Sequence, residues 1–369
     1  MGIVPSEEAK NAVPVQQTSL VAHKSLNIID IKKKDKLLQT NKQKITWVQL
    51  DPNGLCNAGC WFCPVKYEGN NKAAQENMSI ELMESILKQL DAGKGDFVEP
   101  LMYVIVPFNF NEVLLYPHFE EMLLLMRKYK FKIPISTNGV PLTKSKVDII
   151  KKYPDVVGRI NLNVPSAFEE EWAEFTNFNP KLFNKVIDNI AYAVQELTDW
   201  TSKAKLCWMF NHIDEDGANE ETGWGKLLEN APNIDLDKEN GTLAKTMKKF
   251  QEMFPEIYYE KNHEILDRMG FLDRVGVFTN QDYIKKHIKK DKTKVIGCSF
   301  DGENQAVDIL HINANGDVHL CCQDFNFESV YANVKEKSLR DIWYSIERKK
   351  AVAEAYNTFC KECQYAVWE

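Results

Sequence analysis

Between residues 45 and 212 short apolar runs alternate with amphipathic stretches, and this alternation restricts the possible folds more than any other feature. ITWVQLD (45–51) reads as a buried strand, and MSIELMESILKQLDAG (78–93) as a helix with Ser79 placed to cap its first turn and Gly93 near its end. The pattern repeats. LMYVIVPF (101–108) precedes HFEEMLLLMRKYK (118–130), KIPIST (132–137) precedes TKSKVDIIKKY (143–153), and GRINLNVP (158–165) precedes PKLFNKVIDNIAYAVQEL (180–197), before AKLCWMFNH (204–212). Five strands with four helices between them imply parallel strands joined by crossover helices, hence an α/β sheet, open or closed into a barrel. Such folds carry their chemistry at the carboxyl ends of the strands.

From about 213 to 296 the pattern blurs, leaving the helices TLAKTMKKFQEMF (242–254) and DYIKKHIKK (282–290) and a sixth candidate strand, IYYEKN (257–262). Residues 1–42 carry little apolar periodicity and include the basic run KKKDK, so the sequence predicts a loosely ordered arm there. The last seventy or so residues differ in character: AVDILHINANGDVHLCC (306–322) reads as a hairpin turning at NANGD, and SLRDIWYSIERKKAVAEAY (338–356) as one helix capped by Ser338. The expected division is an arm at 1–42, a barrel core at 43–296 and a cysteine-bearing unit at 297–369.

The net charge of −7 provides no diffuse basic field for nucleic acid, and no nucleic-acid module is visible. No run of 18 or more apolar residues appears, and the start MGIVPSEEAKNAVP lacks the regions of a signal peptide, which predicts a cytoplasmic protein with no membrane partner. In that compartment the nine cysteines read as metal ligands rather than disulfides. Cys56, Cys60 and Cys63 fall within GLCNAGCWFCPV (54–65), directly after the first strand. An iron–sulfur cluster held by three cysteines leaves one iron open to an exogenous ligand. The alternatives are a zinc site with a distant fourth ligand or three unrelated thiols; zinc sites usually pair cysteines as CxxC knuckles, and no histidine is near.

CNAGCWFC (56–63) resembles the CxxxCxΦC signature of the radical SAM superfamily, with Phe62 as the aromatic residue. The resemblance implies a partial (β/α)6 TIM-like barrel and a four-iron four-sulfur cluster on Cys56, Cys60 and Cys63, whose open iron binds S-adenosylmethionine. Further segments follow in family order. NEVLLYP (111–117) stands for the GGEPLL-like segment, keeping Glu112 but replacing Gly and Pro with Asn111 and Val113. ISTNGVPLT (135–143) brings Ser136 and Asn138 as candidate contacts to S-adenosylmethionine, and INLNVPS (160–166) brings Asn163 toward its ribose.

The C-terminal region resembles the α+β SPASM/twitch extension of the same superfamily: Cys298, then Gly316 ahead of Cys321, then SLRDIW, then Cys360 and Cys363. The resemblance implies one auxiliary [4Fe-4S] cluster on Cys298, Cys321, Cys360 and Cys363, with Cys322 as an alternative to Cys321; a zinc ribbon is the competing reading. Cys207 points either into the barrel or into the helix layer, and an inward thiol would suit a hydrogen-atom donor.

The activity implied is reductive cleavage of S-adenosylmethionine to a 5′-deoxyadenosyl radical. The radical then takes a hydrogen atom from a peptide or protein side chain, or from a small molecule such as a sugar, with net oxidation, epimerisation or rearrangement. The implied partners are a reductant such as flavodoxin or ferredoxin and the substrate. A non-catalytic iron–sulfur or zinc protein used for binding or electron transfer is the alternative.

Overall fold

The computed structural model describes residues 28–70, 76–197, 206–209, 241–259, 294–299, 304–363 and 365–369. Six strands follow one another in chain order: β1 (Trp47–Leu50), β2 (Ile105–Val106), β3 (Ile133–Thr137), β4 (Val157–Asn163), β5 (Leu206–Met209) and β6 (Tyr258–Tyr259). Neighbouring strands pair in parallel, with the Val104–Lys132 bridge joining β2 to β3. The connections carry α2 (Pro64–Glu68), α3 (Ile80–Ala92), α4 (Phe119–Lys128), α5 (Lys144–Lys151), α6 (Glu169–Thr176), α7 (Phe183–Leu197) and α8 (Thr242–Met253). The expected parallel α/β architecture, a partial (β/α)6 barrel, is therefore present.

Strand alternation sorts side chains onto two faces. Val48, Leu50, Ile105, Ile133, Ile135, Ile160, Leu162 and Leu206 join Met83, Ile86, Met122 and Val186 of the helices in one large core. The intervening residues, Gln49, Val106, Ser136, Arg159, Asn161, Asn163 and Cys207, stay outside it and line the inward face. Ser79 caps α3 by accepting from the Leu82 N–H, and Gly93 closes its end.

The C-terminal region contains β7 (Val295–Cys298), α9 (Gln305–Asp308), β8 (Ile309–Ile312), β9 (Asp317–His319), β10 (Ala332–Asn333), α10 (Leu339–Trp343), α11 (Ile346–Asn357) and β11 (Ala366–Trp368). The hairpin expected over 306–322 forms from Ile309 to His319, with its first residues taken up by α9; it turns at Gly316 with φ +87, and the Asn313 carboxamide oxygen accepts from the Asn315 and Asp317 N–H groups. It does not stand apart, because β8 pairs in parallel with β1 from Trp47–Ile309 to Leu50–Ile312. With β9 and β10 it extends the barrel sheet beyond its first strand.

Two expectations are corrected. Residues 28–39, placed by the sequence in a loosely ordered arm, form helix α1 (Ile28–Gln39), because Ile31 and Leu38 bury one turn-spaced face and Lys34 pairs with Asp308 at 2.5 Å. The single helix expected over 338–356 is two, because Ser345 turns its side chain to accept from the Arg348 N–H and starts α11. The candidate strand at 257–262 is described only as Tyr258–Tyr259, and the helix expected at 282–290 lies outside the described residues.

Candidate active site

The loop after β1 carries Cys56, Cys60 and Cys63, all half-buried and none in a disulfide. Polar and apolar anchors both shape it. Asn70 brackets Cys56, its oxygen accepting from the Cys56 N–H (2.9 Å) and its amide donating to the Cys56 carbonyl (3.1 Å). Trp61, fully buried, drives the middle of the loop into the core. The Gly59 and Trp61 N–H groups donate to the carbonyls of Thr176 and Phe175 at the end of α6 (2.9 and 3.0 Å), carbonyls that a helix end leaves without intrahelical partners. Phe62 packs edge-on against Trp61 with ring centroids 5.8 Å apart, and Pro64 begins α2 directly behind Cys63. Desolvation pushes the Cys56 thiol up to about 12 and Cys60 well above the ordinary thiol value, Cys60 further because Cys63 and Cys56 lie close. Three thiols are thus gathered where bare thiolates are disfavoured, an arrangement that a cationic iron centre reverses.

The segment after β2 and the end of β3 brace this loop. The Asn53 amide donates to the Glu112 carbonyl (3.2 Å), the Glu112 N–H donates to the Leu55 carbonyl (2.8 Å), and the Asn111 amide donates to Asn53 (2.8 Å). Asn138 donates from its side chain to Asn57 of the cysteine loop (2.8 Å), and its N–H donates to the Glu112 carboxylate (2.9 Å). Glu112, 2% exposed, also accepts from the Leu114 N–H. Its carboxyl is raised to about 7, since burial outweighs these donors. The structure therefore brings Cys56, Glu112 and Asn138 into one braced unit. Ser136 and Asn163, both half-buried, sit on the inward faces of β3 and β4.

Cys207 is buried and in register with Asn161, itself in register with Ser136, so its thiol faces inward with the Arg159 guanidinium 2.7 Å away. On the other side the row continues through Val106, Gln49, His311 and His319, paired in turn across β2, β1, β8 and β9. Burial holds the His319 imidazole down at about 4, and its Nδ1 faces the Cys321 carbonyl at 3.1 Å.

Cys298, Cys321, Cys360 and Cys363 line a second site, a small cavity whose remaining walls are mostly apolar. Cys322 is not among the lining residues; its thiol lies beside that of Cys321, and its carbonyl accepts from Asn109 (3.1 Å). Among the described residues no three His, Cys, Asp or Glu side chains converge on a single metal ion. Cluster irons spread their thiolates more widely than one tetrahedral ion does.

The sequence matches the model of the radical SAM superfamily over residues 52–215 and that of the SPASM iron–sulfur cluster-binding domain over residues 298–364. The chain belongs to the radical SAM superfamily. Its radical SAM domain implies S-adenosylmethionine and a [4Fe-4S] cluster, and its SPASM domain implies auxiliary iron–sulfur chemistry. No curated protein matches. Among solved structures the fold resembles Streptococcus suis SuiB bound to S-adenosylmethionine (TM-score 0.53, 16% identity, covering 89% of this chain and 73% of that one). It is also similar to anSMEcpe with bound AdoMet (0.49, 15%, 87% and 87%) and to BtrN in complex with AdoMet and 2-DOIA (0.47, 14%, 87% and 92%). No helix among the described residues of this radical SAM protein is long and apolar enough to cross a membrane.

The motif reading of the radical SAM domain finds the thiols and Glu112 but misses Asn53, Asn57 and Asn70, which brace the cysteine loop, and the inward row of Gln49, His311 and His319. A polar residue inside the apolar strand WVQL is the sequence signal for Gln49.

Proposed function

We propose that the chain is an enzyme that takes a hydrogen atom from a substrate, a peptide or protein side chain or a small molecule, leading to oxidation, epimerisation or rearrangement. The observation carrying this reading is the contrast between two thiol groups: three cysteines in the loop at the carboxyl end of β1, and four around the C-terminal cavity. Three ligands leave an iron open, whereas four close the set. A cluster on Cys56, Cys60 and Cys63 with S-adenosylmethionine at the open iron supplies, when bound, a radical strong enough to attack unactivated C–H bonds.

The chain's own residues supply position and enclosure. Asn70 fixes the Cys56 backbone, and Asn138 and Glu112 hold the strand ends against the cysteine loop. Ser136, Asn138, Glu112 and Asn163 are the residues proposed to contact S-adenosylmethionine, with Phe62 packed behind the cysteines. The inward face of the strands holds the substrate carbon against the reacting centre and keeps water away. Cys207, inward beside Arg159, is proposed as a hydrogen-atom donor. Cys298, Cys321, Cys360 and Cys363 are proposed to close an auxiliary cluster that accepts an electron from the substrate. The barrel at 43–296 and the unit at 297–369 are functional halves in this reading, served by an external reductant such as flavodoxin or ferredoxin. Nine cysteines without a disulfide among the described residues suit the cytoplasm.

Anaerobic reconstitution is expected to load about eight irons per chain, and a strong reductant is expected to yield 5′-deoxyadenosine, a product lost in Cys60→Ala. A fully loaded chain that never cleaves S-adenosylmethionine would refute the proposal.

A further inference from the structure

The basic run KKKDK (32–36), which the candidate active site leaves unused, lies on α1. Ile31 and Leu38, seven positions apart, are buried, whereas Lys32, Lys33 and Lys36 are exposed on the opposite side of the helix. That helix is the outer wall of the C-terminal cavity. Gly297, which lines the cavity next to Cys298, is pressed by Ile31 so closely that a Cβ at 297 would lie 2.4 Å from Ile31 Cγ2. Leu38 shares an apolar cluster with Ala306, Leu320 and Ala355 of the cavity wall, and Cys321 and Cys360 pack against the same cluster. Lys34 pins the helix through Asp308 (2.5 Å). Little more than one helix, about 10–12 Å, therefore separates the outward lysines from the four thiols.

Neighbouring elements enlarge this basic face. Lys349 of α11 donates to the Gln39 carbonyl at the end of α1 (3.3 Å), with the exposed Lys350 following it in the chain. Lys32 pairs with Glu369 (2.5 Å), and the exposed Lys294 acts on the same carboxylate. Lys33, Lys36 and Lys350 have no ion-pair partner among the described residues. The bases of α4 and α5 differ, because acids match them: Arg127 with Asp155, Lys128 with Glu84 and Lys151 with Glu196. In a chain of net charge −7 the excess on α1 is a local feature. The docking of α1 does not need it, since Ile31, Leu38 and Lys34 hold the helix down.

We propose that this face of α1 docks a small acidic one-electron carrier protein of the flavodoxin class, with Lys33 and Lys36 at the contact. The proposal rests on the radical reading above and gives its external reductant a place on the chain. A basic face steers an acidic partner toward it and fixes the partner's orientation. The helix beneath then brings the carrier within reach of the cavity, where one electron passes between them; whichever side gains it, the other loses it. A nucleic acid also seeks positive charge, but its phosphates form a long track. This face is one helix of 12 residues with Glu369 at its edge.

The test uses the full chain with both clusters and a bacterial flavodoxin as the probe, with a basic c-type cytochrome and a short single-stranded oligonucleotide as controls. Binding is followed by the amide chemical shifts of isotope-labelled flavodoxin at low and high salt. Flavodoxin should bind, more weakly as salt rises, and Lys33→Glu/Lys36→Glu should weaken it by about tenfold or more. Lys181→Glu/Lys185→Glu, an equal change of net charge on exposed residues near the start of α7, should leave it nearly unchanged. Carbodiimide, which joins a lysine to a carboxylate, should crosslink flavodoxin to Lys33 or Lys36. With flavodoxin as electron source the α1 variant should form 5′-deoxyadenosine several-fold more slowly, and with dithionite at the rate of the unsubstituted chain. Absence of flavodoxin binding, equal losses in the two double variants, tighter binding of the cytochrome, or unslowed flavodoxin-driven turnover overturns the proposal. So does an oligonucleotide held through Lys33 and Lys36 in place of flavodoxin. Flavodoxin held through these lysines on a chain from which dithionite yields no 5′-deoxyadenosine would instead refute the radical reading and leave the docking surface standing.

Discussion

Glu112 accepts from the Asn138 and Leu114 N–H groups and from the Thr137 hydroxyl, yet burial still lifts its carboxyl from the usual 4.5 to about 7. A carboxyl raised in the folded state binds its proton there more tightly than in the unfolded chain. Its contribution to stability is complete below about 4.5, declines as pH rises and is gone above about 7. The loss across this window is at most about 3 kcal/mol. Urea unfolding of the metal-free protein should show stability falling between pH 5 and 7.5, with a clearly shallower fall in Glu112→Gln. Equal slopes would mean that the carboxyl titrates normally. The neighbouring thiols at 321 and 322 separate by position: Cys321 lines the cavity with Cys298, Cys360 and Cys363, and Cys322 does not. Cys321→Ser should therefore cut iron from about eight to about four per chain, while Cys322→Ser leaves it near eight. The reverse pattern would reassign the ligand.

Elements whose signal is local were legible. The helix at Ile80–Ala92 declares itself by its apolar spacing and by Ser79, and the strand at Ile133–Thr137 by alternation between buried and half-buried positions. The three cysteines, Glu112 and Asn138 were legible for a similar reason, since motif order alone places them at successive strand ends. Helix α6 (Glu169–Thr176) was not anticipated, although its first turn is rich in glutamate; eight residues are too few to stand without tertiary support, and its function for the site is the two carbonyls it offers to Gly59 and Trp61. Helices α10 and α11 merged in the sequence because nothing local requires Ser345 to cap rather than continue. Their arrangement depends on Arg348, which lies 3.4 Å over the Trp343 ring and donates to the Trp343, Ala306 and Val307 carbonyls. The inward row was hidden for a related reason. Gln49 and His311 become neighbours only through a ladder joining segments far apart in the chain, and no periodicity encodes a strand's partner.

That ladder decides how the whole molecule folds. A boundary near residue 296 separates two sets of cysteines, but it does not separate two cores: Leu310, Ile312, Val318, Leu339, Ile342 and Trp343 belong to the same apolar cluster as Val48, Met83 and Ile135. The docking is also specific, since the Trp343 indole donates to the Gln43 carbonyl (2.8 Å) and the Leu339 N–H donates to the Gln89 side chain (2.8 Å). Burying a side chain of this kind contributes about 1.5–3 kcal/mol, so these residues together supply an amount comparable to the entire stability of an ordinary domain, roughly 5–15 kcal/mol. Removal of β8 would in addition leave the N–H and C=O groups of β1 unpaired along one edge, a surface prone to association. A chain ending at residue 293 should therefore aggregate or remain unfolded, and the full chain should lose its far-ultraviolet circular dichroism and tryptophan fluorescence in one coincident urea transition. A soluble truncated barrel melting within a few degrees of the full chain would show that the C-terminal unit is only an accessory. Coincident transitions would show that the face on which Gln49 meets His311 is made by folding itself, with both halves of the chain required for either to persist.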